Sequence, residues 1–179
     1  MTLTRELATG SEEQQLVVFE LSGESYGVDI GAVNTIIRMQ QITHVPRAPQ
    51  FVQGVINLRG SIVPVIDLRT RFGLAAFEET KASRIVVVET GAGVMGMIVD
   101  AVTETRSLSS DAIEPPASIV TSADSLYLRG VAKVDDRLII MLDIEKILTA
   151  ADNEAIERAN IQQVETEDQV VTQVLAGVA

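Results

Sequence analysis

The stretch Gly54-Val55-Ile56-Asn57-Leu58-Arg59-Gly60-Ser61-Ile62-Val63-Pro64-Val65-Ile66-Asp67-Leu68 decides how this chain is read. Two runs of strand-forming residues flank Arg59-Gly60, a dipeptide suited to a tight turn, so the segment predicts a β-hairpin. Asp67 then stands where a short helix begins. Its carboxylate can accept from the free N–H groups of the first turn, and an N-cap is a sufficient account of an Asp there.

The same pattern returns later in the chain. Gly54-Val55, Val65-Ile66-Asp67-Leu68 and Phe72 match Gly130-Val131, Met141-Leu142-Asp143-Ile144 and Leu148 at a spacing of about 76. Upstream, Phe19-Glu20, Gly27-Val28 and Ala32-Val33 match Val88-Glu89, Gly96-Met97 and Ala101-Val102 at a spacing of about 69. The extra residues fall in the loop from Pro115-Pro116 to Ser125. Two units of four or five short strands, each closing with a hairpin and a short helix, predict a mainly β protein. Its halves are two small barrels or curled sheets related by pseudo-symmetry.

Residues 1–14 read as a loose, flexible polar arm, 15–150 as the folded domain, and 151–179 as an acidic tail. In the tail Asp152, Glu154, Glu157, Glu165, Glu167 and Asp168 oppose Arg158, and Val170, Val171, Val174, Leu175 and Val178 fall on one face at helical spacing.

Composition narrows the chemistry. Hydrophobic residues make up 46% of the 179 residues but aromatics only 3%, so the core is expected to be aliphatic. A formal charge of −11 argues against binding nucleic acid through its phosphates. No cysteine is present, which removes disulfides, thiolate metal sites and thiol nucleophiles. Neither a signal peptide nor an apolar run of membrane-spanning length is visible, so a cytoplasmic protein without direct membrane insertion is expected.

No catalytic, cofactor-binding or metal site follows from the pattern. Gly91-Ala92-Gly93-Val94-Met95-Gly96 formally spells a dinucleotide fingerprint, yet β-branched residues follow it where a helix must open. A glycine-rich hairpin turn is the better reading, with a nucleotide-binding protein as the remote alternative. The single histidine, His44, sits at a strand end before Pro46, with no partner for a zinc site or a triad. Asp135-Asp136 reads as a hairpin turn. The exception is Arg59. The second unit puts Asp135 and Asp136 at the matching turn, so the scaffold tolerates either charge and does not itself demand the arginine. A guanidinium there suits a carboxylate-bearing partner surface.

Tyr26-Gly27-Val28-Asp29-Ile30, Pro46-x-x-Pro49, the Gly54 to Leu68 string, Tyr127-Leu128-Arg129-Gly130 and Leu142 to Leu148 together resemble the CheW family of chemotaxis coupling proteins. The likeness spans residues 15 to 150. It implies two five-stranded β-barrels around a shared apolar core. It further implies a non-catalytic adaptor, without cofactor, that joins the regulatory domain of the histidine kinase CheA to the cytoplasmic tip of chemoreceptors (methyl-accepting chemotaxis proteins) at arrays on the inner face of the membrane. An adaptor of another chemosensory pathway, such as twitching motility, is the nearest alternative. By resemblance Arg59 is the family's coupling arginine within Asn57-Leu58-Arg59-Gly60, while Val33 and Gly54 fall at positions associated with receptor coupling. Thr35 and Ile36 complete the set. Many members carry an acid where this chain has Thr35. Arg59 therefore either meets another carboxylate or serves a divergent signalling system.

Overall fold

A computed structural model describes residues 13–75, 78–115 and 127–158. Eleven strands form: β1 (Glu13–Leu21), β2 (Glu24–Asp29), β3 (Val33–Arg38), β4 (Val52–Leu58), β5 (Ser61–Asp67), β6 (Arg84–Thr90), β7 (Gly93–Val99), β8 (Ala101–Ser109), β9 (Ile113–Glu114), β10 (Leu128–Val134) and β11 (Arg137–Leu142). The helix α1 (Leu68–Arg71) follows β5, the 3-10 turn Ile144–Lys146 follows β11, and residues 150–158 are helical. The valine stripe at 170–178 lies outside the described residues. No helix among those described is long and apolar enough to cross a membrane.

The hairpin that opened the reading is present. Leu58 pairs with Ser61 across Arg59-Gly60, and Val134 pairs with Arg137 across Asp135-Asp136. All four turn residues have positive φ, as two-residue hairpins matched to strand twist require. Asp67 and Asp143 cap as expected, accepting from Arg69 N at 3.0 Å and Glu145 N at 3.1 Å. Gly91 and Ala92 turn β6 into β7, so the glycine run opens a strand.

The strands divide between a six-stranded sheet, ordered β8-β1-β2-β11-β10-β9, and a five-stranded sheet, ordered β3-β6-β7-β5-β4. The repeat makes the logic visible. β1 to β5 correspond to β6, β7, β8, β10 and β11, and the halves exchange strands. Each sheet takes its first two repeat strands from one half and the other three from the other half, joined by parallel pairings of β2 with β11 and β7 with β5. β9 is an addition to the first sheet.

This exchange explains the uninterrupted apolar runs at Leu16–Phe19 and Ile85–Val88. β1 and β6 are buried on both faces, so the alternation expected of a half-exposed strand is absent. Leu16 and Val18 point into a cluster with Leu108, Val134, Ile139 and Met141. Ile85 and Val87 point into its counterpart with Ile56, Val63, Val65 and Ile98. The alternate residues Val17, Phe19, Val86 and Val88 meet in a third cluster shared by both units, with Ile66, Leu68, Met97, Leu142 and Ile147. The shared apolar core is therefore the layer between the two sheets.

Both sheets curl, but their hydrogen-bonded ladders stay open rather than closing into barrels. In the five-stranded sheet the chain beyond β3 returns to β4, where Thr43 and Val55 exchange two backbone bonds of 2.9 Å. In the other sheet β9, following β8 through the turn Ser110–Ala112, pairs with β10. Both approaches pass over a glycine. A Cβ on Gly54 would lie 2.0 Å from Thr43 O, and one on Gly130 would lie 2.7 Å from Glu114 O.

Candidate functional site

The residues singled out from the sequence fall on two edges of one sheet. Gly54, Asn57, Arg59 and Gly60 belong to the β4–β5 hairpin, while Val33, Thr35 and Ile36 lie on β3. Curling brings these edges towards each other, through the Thr43–Val55 bridge and a bond of 3.4 Å from Gln40 Nε2 to Asn57 O.

Each residue has a local explanation. Asn57 accepts from Gly60 N through Oδ1 at 2.9 Å, bracing the turn from within. Gly60 takes φ 85°, which costs glycine nothing. Gly54 is buried, and the close approach of Thr43 leaves no room for a side chain. Val33 is half-buried against the shared core. Ile37 packs inside the curled sheet, and Thr35, two residues earlier on β3, shares that face. Ile36 turns outward and is 38% exposed.

Arg59 differs from the rest. It is exposed at φ 51°, a conformation that L side chains adopt at a cost. It makes no hydrogen bond or ion pair with any described residue. Next to it on the outer face, Asn57 lies opposite Ile62, which is 55% exposed.

The second unit shows what the fold does when this position is satisfied internally. Glu104 and Arg106 on β8 correspond to Thr35 and Ile37 on β3. Glu104 and Arg106 face Val18 and Leu16 of β1, as Thr35 and Ile37 face Val87 and Ile85 of β6. Asp135 and Arg137 correspond to Arg59 and Ser61. Arg106 Nη2 meets Asp135 Oδ2 at 2.5 Å, and Arg137 Nη2 meets Glu104 Oε1 at 2.6 Å. The bond to Asp135 holds the Arg106 guanidinium above its ordinary pKa. Two ion pairs thus tie β8 to the tip of the β10–β11 hairpin. In the first unit Thr35 and Ile37 offer no charge, and the arginine at the tip has no ion-pair partner among the described residues.

Sequence reasoning had identified Arg59 but not Ile62, nor the Glu104, Arg106 and Arg137 set that shows what Arg59 lacks. Extending the repeat to positions 104, 106 and 137 would have found these residues. Their side chains differ so much from Thr35, Ile37 and Ser61 that similarity alone passes over them.

A family description for the CheW-like domain matches residues 15–152. The chemotaxis protein CheW of Klebsiella aerogenes is 35% identical over 144 residues, covering 80% of this chain and 87% of that protein. Protein FrzA of Myxococcus xanthus is 28% identical over 152 residues, covering 84% and 95%. Among solved structures, the scaffolding protein TtCheW from Thermoanaerobacter tengcongensis superposes with a TM-score of 0.73 at 39% identity, covering 81% of this chain and 94% of that one.

Proposed function

The chain belongs to the CheW-like domain family, and on that premise we propose that it is a non-catalytic coupling protein joining a CheA-type histidine kinase to chemoreceptors. The observation that supports the reading is the guanidinium of Arg59, unpaired among the described residues, on an exposed hairpin tip that also carries the exposed Ile62. Cation and apolar side chain together make a contact surface, since arginine beside an exposed aliphatic group suits recognition better than catalysis. In this reading the protein works in the cytoplasm and is recruited to receptor arrays at the inner face of the membrane. One surface takes the kinase regulatory domain and another the receptor tip.

Reconstitution of the ternary complex tests the reading. Kinase activity should come under receptor control only when this chain is added, and Arg59→Glu should abolish that control. If the kinase is regulated equally well without the chain, the proposal is wrong. The likeness to FrzA favours a second reading, an adaptor of a different chemosensory system. Binding to the kinase and receptors encoded beside this gene, compared with other sets, separates the two.

A further inference from the structure

We propose that the chain's own C-terminal segment, residues 170–178, folds back over the cleft between the helix at 150–158 and the face of β5 and β7, and covers Ile62. The inference makes no use of the coupling reading. On β5 the residues Ile62, Pro64 and Ile66 share one face. Ile66 belongs to the core shared by both units, with Met95 and Met97 of β7 in the same cluster. Pro64 lies further out and is half-buried, lining a cleft of about 180 Å³ with Val94, Met95, Leu148 and Ile156. That volume is below the roughly 300 Å³ at which small-molecule pockets begin, so an inserted aliphatic side chain fits it better than a free ligand. Ile62 comes next along the face and is 55% exposed. Continuing the pairing of Val65 with Gly96 sets Ile62 level with Gly93, which lines the same cleft.

The described chain ends at this place. Glu157 lines the cleft, and Arg158 is the last described residue. Beyond it the sequence carries the apolar stripe Val170, Val171, Val174, Leu175 and Val178. The dozen residues from Arg158 to Val170 reach at most about 40 Å when extended, against roughly 14 Å for the length of the helix at 150–158, so the stripe can return to Ile62. A tether of this kind also holds the stripe at an effective concentration on the order of millimolar, so that contacts too weak to join two chains are populated within one. The occupant is therefore this chain's own tail and not a second copy.

The chain has neither cysteine nor tryptophan, so single reporters can be placed in the full-length protein. The comparison site is Leu138, the equivalent of Ile62 on the six-stranded sheet and 53% exposed. Under mild oxidation, Ile62→Cys with Leu175→Cys should close a disulfide about tenfold faster than Leu138→Cys with Leu175→Cys, because only the first pair is held together by docking. The product should run as a monomer on a non-reducing gel. In a separate variant, Ile62→Trp, the indole should be shielded from acrylamide. Adding Val174→Asp and Leu175→Asp should raise its quenching and shift its emission to the red. Equal disulfide rates at 62 and 138, or quenching that ignores the two aspartates, would overturn the proposal. Cross-linked dimers in place of monomers overturn it as well, since the occupant is then a second copy. Both measurements read the chain alone, so their failure leaves the coupling reading standing, and a failed reconstitution leaves this inference standing.

Discussion

Arg69 and Asp100 form a two-pronged ion pair, with Nε to Oδ1 at 2.8 Å and Nη2 to Oδ2 at 2.5 Å, that ties α1 to the junction of β7 and β8. The same carboxylate accepts from Ser22 N at 2.8 Å, so it also holds the β1–β2 turn. The pseudo-symmetric turn is held more directly. Glu145, at the position matching Arg69, accepts from Gly91 N at 3.0 Å. One half therefore uses a bridging carboxylate and the other a direct one for the same task, anchoring a hairpin of one sheet to the element that ends the other.

Asp100→Asn should destabilise the fold by about 1–3 kcal/mol, the range for a partly buried hydrogen bond to a charged group. Partial burial alone would raise the Asp100 pKa. Hydrogen bonds from Arg69 and Ser22 N, with the Arg69 charge, outweigh that and hold it below the ordinary 3.8. A depressed carboxylate stabilises the folded state above its unfolded pKa. Stability should therefore fall as pH drops below about 4 in the wild type, and this part of the acid loss should be absent in Asp100→Asn. Urea unfolding between pH 2 and 7 measures both.

Arg59→Gly should raise stability by roughly 1 kcal/mol, because glycine relieves the positive φ at the hairpin tip. The same variant should lose receptor control of the kinase. A thermal melt beside the reconstituted kinase assay checks the pair of outcomes, and unchanged control would remove Arg59 from the contact surface.

Gly54→Ala should be severely destabilising, on the order of 3–5 kcal/mol, since its Cβ would lie 2.0 Å from Thr43 O and its φ is 150°. Gly130→Ala should cost less, its nearest contacts, Ile113 Cγ2 at 2.6 Å and Glu114 O at 2.7 Å, being less close than Thr43 O is to a Cβ on Gly54. Coupling defects from substitution at Gly54 should therefore track the loss of folded protein in denaturation curves. A folded, fully stable Gly54→Ala that fails to couple would instead make the glycine a direct contact.

Arg71→Ala should release the helix at 150–158. The Arg71 guanidinium lies 4.6 Å from the Phe51 ring centre and 4.9 Å from that of Tyr127. Nε donates to Ile147 O at 2.7 Å, and Nη2 reaches Asp152 at 3.3 Å. Asp152 also completes a capping box with Thr149, their reciprocal bonds measuring 2.9 and 3.1 Å. Hydrogen exchange should show lost protection at 150–158 and little change in β1 or β6, with a stability cost of about 1–2 kcal/mol for the cation–π contacts.

Much of this was written in the chain. Turn dipeptides, capping aspartates and the two spacings of the repeat are local features. They specified the hairpins at Arg59-Gly60 and Asp135-Asp136, the caps at Asp67 and Asp143, and a duplicated mainly β fold. The charge difference between the two tips was also legible, and it singled out Arg59 without coordinates.

Strand partnership was decided only in three dimensions. Periodicity states which faces of β1 and β6 are apolar, but nothing local says which of two equivalent halves supplies a neighbour. The exchange of strands was selected by the core, because it buries both faces of β1 and β6 at once. The free state of Arg59 was decided there too. An ion pair depends on residues far apart in sequence meeting at one hairpin tip, as Arg106 meets Asp135, and as nothing among the described residues meets Arg59.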